Sequence, residues 1–270
     1  MAINNFIPQV WSARLQENMQ QQLVFGALCN HNYEGDITQW GDTVHINSLN
    51  DITVKPYDPS VEISDPEQLS GTDTTLTIDH GAYYNFFIND VDAVQARADL
   101  MEAAMRNAAY RLAADAEEYI IKTILDNAGI NETRVIPTAE AGGMYSVLVQ
   151  LKATMDLLGV PRQNRKLVMG PLLEADLLMD ERFVTFASVS NEKPAEGAVA
   201  RMAGFDIYVS HDLTDQIIAM TPDAVTFANQ ITKVDAYRPE KGFCDGVKGL
   251  CLSGAKVVIP DAVIVYKLTD

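Results

Sequence analysis

Residues 89–128 read NDVDAVQARADLMEAAMRNAAYRLAADAEEYIIKTILDNA, forty positions without a glycine or a proline. Apolar side chains recur there at steps of three and four: Val91, Val94, Ala98, Met101, Met105, Ala108 and Leu112, then Ala116, Tyr119, Ile120 and Ile124. That spacing lines them up on one stripe of a helix. Asn89 or Asp90 is suited to cap its start, and Gly129 to end it in the left-handed conformation. A helix of about 38 residues is a rod of roughly 57 Å. A compact globule of this chain length is about 48 Å across. The rod outruns the globule, so the molecule is expected to be elongated or flat, with surfaces that other copies cover.

Upstream of the helix the hydrophobic period changes from 3.6 to two. Val44 and Ile46, Ile52 and Val54, Val61 and Ile63, and Leu76 and Ile78 alternate with polar neighbours, the pattern of strands. Residues 50–73 between them hold Pro56, Pro59 and Pro66, six acidic residues, one lysine and one aromatic, Tyr57. Such a segment buries little of itself, and an isolated hairpin is marginal in water. A long two-stranded arm is expected, which folds back or lies on a neighbour. Before it, Leu15, Met19 and Leu23 mark a short amphipathic helix with Ser12 as its cap.

Downstream, residues 136–254 read as a mixed α/β region. Val147, Leu148, Leu151, Met155 and Leu158 share a helical face closed by Gly159 and Pro161. Leu167, Val168 and Met169 form a short strand, and residues 172–179 a further helix. Strands are expected at 205–209, 217–220 and 225–227, with a turn over 191–197. The final alternation, Val257, Ile259, Val263 and Val265 around Pro260, is expected to return and pair beside the long helix. The fold class is therefore α+β.

The chain has 270 residues, 47% hydrophobic and 21% charged, which is globular rather than disordered. Twenty Lys plus Arg face 37 Asp plus Glu, for a net charge of -17. Over half of the excess sits in residues 1–89, where Arg14 and Lys55 stand against eleven acidic residues. Affinity for nucleic acid rests on cations that release condensed counterions, so a DNA-reading or DNA-coating protein is excluded, and an anionic membrane is disfavoured. Residues 1–10 lack the basic start of a secretion signal, and residues 23–29 are too short a run to span a bilayer. A soluble intracellular product is expected. Cys29, Cys244 and Cys251 form no CxxC pair and read as reduced, small apolar residues.

The usual chemical signatures fail when tested. Gly249 to Lys256 is the nearest approach to a phosphate-binding loop, yet Gly254-Ala255-Lys256 stands where its glycine-lysine-hydroxyl ending belongs. There is no GxGxxG after a strand, no GxSxG, no HExxH and no zinc spacing. His31, His45, His80 and His211 are scattered. Asp90 and Asp92 suit a helix start better than a calcium loop, since Val94 occupies the third ligand position. Asp176, Asp180 and Glu181 read as a solvated face before they read as an acid/base pair. No catalytic residue, cofactor or metal is assigned.

Three passages carry a family resemblance. Asn5-Phe6-Ile7-Pro8-Gln9-Val10-Trp11 resembles the opening of one branch of coat proteins. Gly197-Ala198-Val199-Ala200-Arg201-Met202-Ala203-Gly204-Phe205-Asp206-Ile207-Tyr208-Val209-Ser210 resembles a glycine-flanked strand of their capsomer-forming domain. Tyr237-Arg238-Pro239-Glu240-Lys241-Gly242-Phe243, with Gly254-Ala255-Lys256-Val257-Val258, resembles the passage back to their peripheral sheet. Their order, over nearly the whole chain, is similar to the major capsid proteins of tailed bacteriophages, whose fold encapsulin shells and the herpesvirus capsid floor share.

The resemblance implies an N-terminal arm and first strand at 1–47, an extended hairpin loop at 48–88 and a peripheral domain with spine helix at 89–136. It implies an axial domain at 137–254 and a return strand to the peripheral domain at 255–270. It implies a structural, non-enzymatic protein that assembles as hexamers and pentamers into an icosahedral shell around double-stranded DNA. Its partners would be copies of itself, a separate scaffolding protein and a portal protein, with assembly in the bacterial host cytoplasm and no membrane. The expected subunit contacts are Lys55, Tyr57, Asp58, Glu62, Asp65 and Glu67 in the loop, with Phe6 and Trp11 in the arm. Lys55, the only basic residue between Arg14 and Arg97, would pair with an adjacent copy or guard an exposed strand edge. An encapsulin-like compartment and a soluble α+β enzyme are the alternatives.

Overall fold

A computed structural model describes residues 15, 18, 23–32, 40–49, 54, 71–89, 100–137, 143–180, 182, 197–239 and 244–269. The elements in chain order are α1 (Phe25–Leu28), β1 (Thr43–Leu49), β2 (Gly71–Thr77), β3 (His80–Asn89), α2 (Leu100–Asn127), β4 (Ile130–Val135) and α3 (Gly143–Leu157). There follow β5 (Arg165–Met169), α4 (Pro171–Met179), β6 (Ala200–Met202), β7 (Phe205–Val209), β8 (Gln216–Met220), β9 (Val225–Tyr237), β10 (Cys244–Val257) and β11 (Val263–Thr269). The fold is α+β with three separate sheets.

The helix α2 has 28 described residues, about 42 Å at the usual rise. Its buried face is the stripe read from the sequence: Met105, Ala108, Leu112, Ala116, Ile120 and Ile124 are all buried. The expected start of the helix, with Asn89 to Ala98, falls outside the described helical residues. At the other end Gly129 does not adopt a positive φ. Its glycine is required by a close approach: a Cβ would lie 2.5 Å from the Pro260 carbonyl oxygen, which accepts the Gly129 N–H at 3.0 Å.

Against this helix lies an antiparallel sheet in the order β3-β10-β9. Ala82, Tyr84 and Phe86 of β3 face inward, packed against the main core. The loop expected over 48–88 is thus drawn too far. Residues 80–87 alternate towards the helix and β3 belongs to this sheet, while the hairpin proper is β1 with β2, Val44 opposite Leu76. The hairpin root does not stand free. Val44, Ile46, Leu76 and Ile78 bury against Ala228 of β9 and Leu252 of β10. At about 1.5–3 kcal/mol for each fully buried side chain, this satellite core holds a hairpin that would be marginal alone.

The remaining strands make a six-stranded mixed sheet, β4-β11-β8-β5-β7-β6, with α3 and α4 beside it. The return strand differs from expectation. β11 pairs with β4 in parallel and with β8 antiparallel, so it completes this sheet rather than the one beside the long helix. The strand that does return to the helix is β10. Hence residues 137–254 are not one domain, because β9 and the first eleven residues of β10 lie in the sheet on α2. The two large sheets are joined where the chain crosses from β8 to β9 and from β10 to β11. Each crossing is a single 3-10 turn of the same sequence, Pro222-Asp223-Ala224 and Pro260-Asp261-Ala262. The turns are laced together, since the Ala224 carbonyl accepts the N–H groups of Val258 and Ile259 at 2.8 and 3.3 Å.

Candidate assembly surfaces

Three places in this architecture are built with more chemistry than folding alone accounts for. The first is the joint between hairpin and helix. Asp79 and His80 form the bend from β2 to β3, and both are held by α2. The Tyr119 hydroxyl donates to Asp79 Oδ1 at 2.5 Å and lies 3.4 Å from the Ala255 N–H of β10, which donates to it. The His80 ring stacks on the Tyr119 ring, centroids 4.4 Å apart and 12° from parallel, and its Nε2 sits 2.6 Å from Asp115 Oδ2. Burial, with the Asp79 carboxylate beside it, pushes the Tyr119 hydroxyl up to about 12, so it remains a donor at any physiological pH. One side chain of the helix therefore ties the bend and β10 together.

The second is the outward face of the three-stranded sheet. Register places Tyr83, Leu250 and Lys233 in one row, Asn85, Lys248 and Asp235 in the next, and Phe87, Gly246 and Tyr237 in the third. Gly246 leaves room for the Tyr237 ring, which a Cβ would meet at 2.8 Å, and the Tyr237 hydroxyl reaches across to donate to Asn85 at 2.7 Å. Lys233 and Lys248 approach Asp235 at 3.1 and 4.0 Å. Tyr83 and Phe87 are 79% and 60% exposed. Aromatic residues on both phases of the alternation, Tyr84 and Phe86 inward, Tyr83 and Phe87 outward, mark a strand with two faces to cover. The sequence carries that signal in the run Tyr83-Tyr84-Asn85-Phe86-Phe87.

The third is a groove of about 900 Å³ between the outer edge of β3 and residues 103–115 of α2. The far side of the molecule also exposes apolar residues: Leu157 at the end of α3 and Leu172 and Met179 of α4.

Of the contact residues expected from the sequence, Phe6, Trp11, Lys55, Tyr57, Asp58, Glu62, Asp65 and Glu67 all lie outside the described residues. The four histidines are not gathered: His31 contacts the Gly26 carbonyl, His45 Asp73, His80 Asp115 and His211 Asp212. Asp180 accepts the Tyr145 N–H at the start of α3, a capping role. The three cysteines are buried, and burial raises Cys29 further, with the nearby Glu117 carboxylate adding to it. Among the described residues no group of three His, Cys, Asp or Glu could hold a metal, and no helix is long and apolar enough to cross a membrane.

A long-helix body carrying a clamped hairpin, with aromatic and apolar surfaces turned outward, describes a protein built to be tiled against copies of itself. Comparison with known proteins agrees. The family described as phage capsid protein matches residues 75–265, most of the chain, so the chain belongs to the phage capsid protein family. The solved structure from Mycobacterium phage Che8 is 28% identical, covers 98% of each chain and superposes with a TM-score of 0.72. The capsid of cyanophage P-SCSP1u is 15% identical over 87% of this chain and 85% of its own, TM-score 0.68. A virus-like particle from Pyrococcus furiosus is 13% identical over 96% and 98%, TM-score 0.63. A search of curated proteins finds no match. The chain is a structural capsid protein, a component of the virion shell that self-assembles into capsomers.

Proposed function

We propose that this capsid protein forms hexamers and pentamers that close into an icosahedral shell around double-stranded DNA. The observation that carries the reading is the hairpin. Its root is fixed to the body by a satellite core and the Tyr119 joint, while residues 51–70 between its strands carry five acidic residues and three prolines against a few scattered apolar ones. In this reading the loop lies over a neighbouring copy through Lys55, Tyr57, Asp58, Glu62, Asp65 and Glu67. Phe6 and Trp11 bring the N-terminal segment to a neighbour as well. The sheet β3-β10-β9 with α2 forms the peripheral part of the shell, and the six-stranded sheet with α3 and α4 the axial part, its exposed Leu157, Leu172 and Met179 meeting other subunits at the capsomer centre. Many modest contacts then act together, because each subunit that docks makes its later contacts intramolecular.

A separate scaffolding protein and a portal protein complete the assembly, in the host cytoplasm, and the subunit performs no catalysis. The net charge of -17 keeps the wall from adhering to the phosphates it encloses. Deleting residues 51–71 tests the reading: a folded, soluble subunit that no longer forms shells is expected by electron microscopy. Normal particles from that deletion would overturn the role of the loop.

A further inference from the structure

We propose that the cleft between the α1 segment and strands β5 and β7 binds an amphiphilic monoanion, a carboxylate carrying a hydrocarbon tail, through Lys166 and Tyr208. Such a site goes beyond the assembly reading and stands independently of it. Register sets Arg201, Asp206 and Lys166 in one row across β6, β7 and β5. Lys166 Nζ donates to the Tyr208 hydroxyl at 3.2 Å and to Asp206 Oδ2 at 3.3 Å, the latter longer than the about 2.7–2.9 Å usual between ammonium and carboxylate. An ammonium carries three donors, and the third has no acceptor among the described residues. The Tyr208 hydroxyl accepts from Lys166 and likewise has no acceptor for its own proton among them. Both side chains line the cleft and both are largely buried, Lys166 15% and Tyr208 8% exposed. Two adjacent buried donors call for one shared acceptor, and the two oxygens of a carboxylate can take both. Arg201 Nε stands 3.8 Å from Asp206 Oδ1, so the resident carboxylate is shared by two cations and leaves Lys166 free to hold a second anion.

The tail follows from the rest of the lining. The cleft holds about 400 Å³, within the range of about 300–1,000 Å³ usual for ligand sites. Leu23, Val24 and Leu28 wall it from the α1 segment, and Val199 and Pro222 from the segments flanking the sheet strands. Cys29 lines it too; burial, with Glu117 nearby, pushes its thiol up, so it stays neutral beside the tail. Glu117 itself is engaged by the Phe25 and Gly26 N–H groups. Among the described residues no carboxylate lines the cleft. An apolar cavity with an ammonium at its base selects a tail with a negative head and rejects the same tail with a positive one. The occupant touches both the α1 segment and the six-stranded sheet, so its uptake stabilises the folded chain by mass action.

The test titrates the full-length protein with decanoate, below its micelle concentration, by calorimetry. Acetate supplies the head without the tail, and decyltrimethylammonium the same tail with the opposite head. Saturable uptake of one decanoate per chain is expected, with both controls at least about tenfold weaker. Lys166→Met should weaken decanoate binding about ten- to a hundredfold, and Tyr208→Phe about three- to tenfold. Val199→Trp fills the cleft from an exposed position and should abolish uptake, which keeps the test open if Lys166→Met does not fold. Decanoate should also raise the thermal midpoint of the wild type and leave that of Val199→Trp unmoved. Absence of saturable decanoate uptake overturns the proposal, as does equal binding of decyltrimethylammonium. Wild-type affinity in Val199→Trp places the anion elsewhere and overturns the cleft as well. None of these results bears on whether the chain forms shells, which electron microscopy of the same preparations reads separately.

Discussion

Glu117 shows how one residue couples the N-terminal part of the chain to the long helix. It projects from α2 into the core, 3% exposed, and its two oxygens accept the Phe25 and Gly26 N–H groups at 3.0 Å each. These are the otherwise unpaired donors at the start of α1. Burial raises its pKa above 4.5, partly offset by the backbone donors of Gly26, Phe25 and Val24, and reinforced by Asp212. The folded chain therefore keeps this proton in a pH window where the unfolded chain has released it. Stability contributed by the group rises as pH falls from neutrality through the folded value, and levels off below the unfolded value near 4.5. Glu117→Gln should remove that slope. It should also cost about 1–2 kcal/mol at pH 7, because an amide nitrogen would face one of the two N–H groups. Urea titrations of the unassembled protein between pH 4.5 and 7.5 measure both. The sequence could not announce this role: a glutamate in a helix reads as a solvated face, and only the docking of α1 turns it inward.

At the scale of elements, what was legible depended on whether side chains or backbone carried the packing. The stripe from Met105 to Ile124 was plain because a helix buries side chains at a fixed period. β10 was not, because Gly246, Gly249 and Gly254 interrupt its alternation, and two of them make way for a tyrosine ring lying over the strand. β4 was hidden for the opposite reason. It is an edge strand with five exposed residues in a row, so nothing forced it to be apolar. Gly254 marks the crossing of the hairpin root over the sheet, where a Cβ would lie 2.6 Å from the Thr77 carbonyl oxygen. Gly254→Val should cost about 2 kcal/mol by lifting that root. Tyr119→Phe, which removes the bonds to Asp79 and Ala255, should cost about 1 kcal/mol. In both variants amide exchange should accelerate in β1 and β2 and stay unchanged in the six-stranded sheet, a local rather than global opening. Uniform acceleration would show that the joint serves the whole fold and not the hairpin.

For the whole molecule, charge was readable from the sequence, and partition was not. The acidic excess in residues 1–89, the long helix and the hairpin follow from counting and periodicity. The division into sheets does not, because β10 and β11 are adjacent in sequence and part company at a single turn. Subunits of net charge -17 repel one another, and the repulsion is screened by salt. Shell formation followed by light scattering should accelerate as ionic strength rises from about 0.01 to 0.15 M, over which the screening length shortens from about 30 to 8 Å. Slower assembly in salt would instead mean that the acidic loop meets cations on its neighbour as the dominant contact.

The paired Pro-Asp-Ala turns limit how such a subunit can change shape. Two chain crossings, side by side and bonded through Ala224, behave as two pins of one door hinge. Sliding of one sheet over the other would stretch at least one crossing. The passage from α2 to β4 joins the same place, since the Gly129 N–H donates to the Pro260 carbonyl at 3.0 Å, so the two sheets are stitched three times along one seam, like pages into a spine.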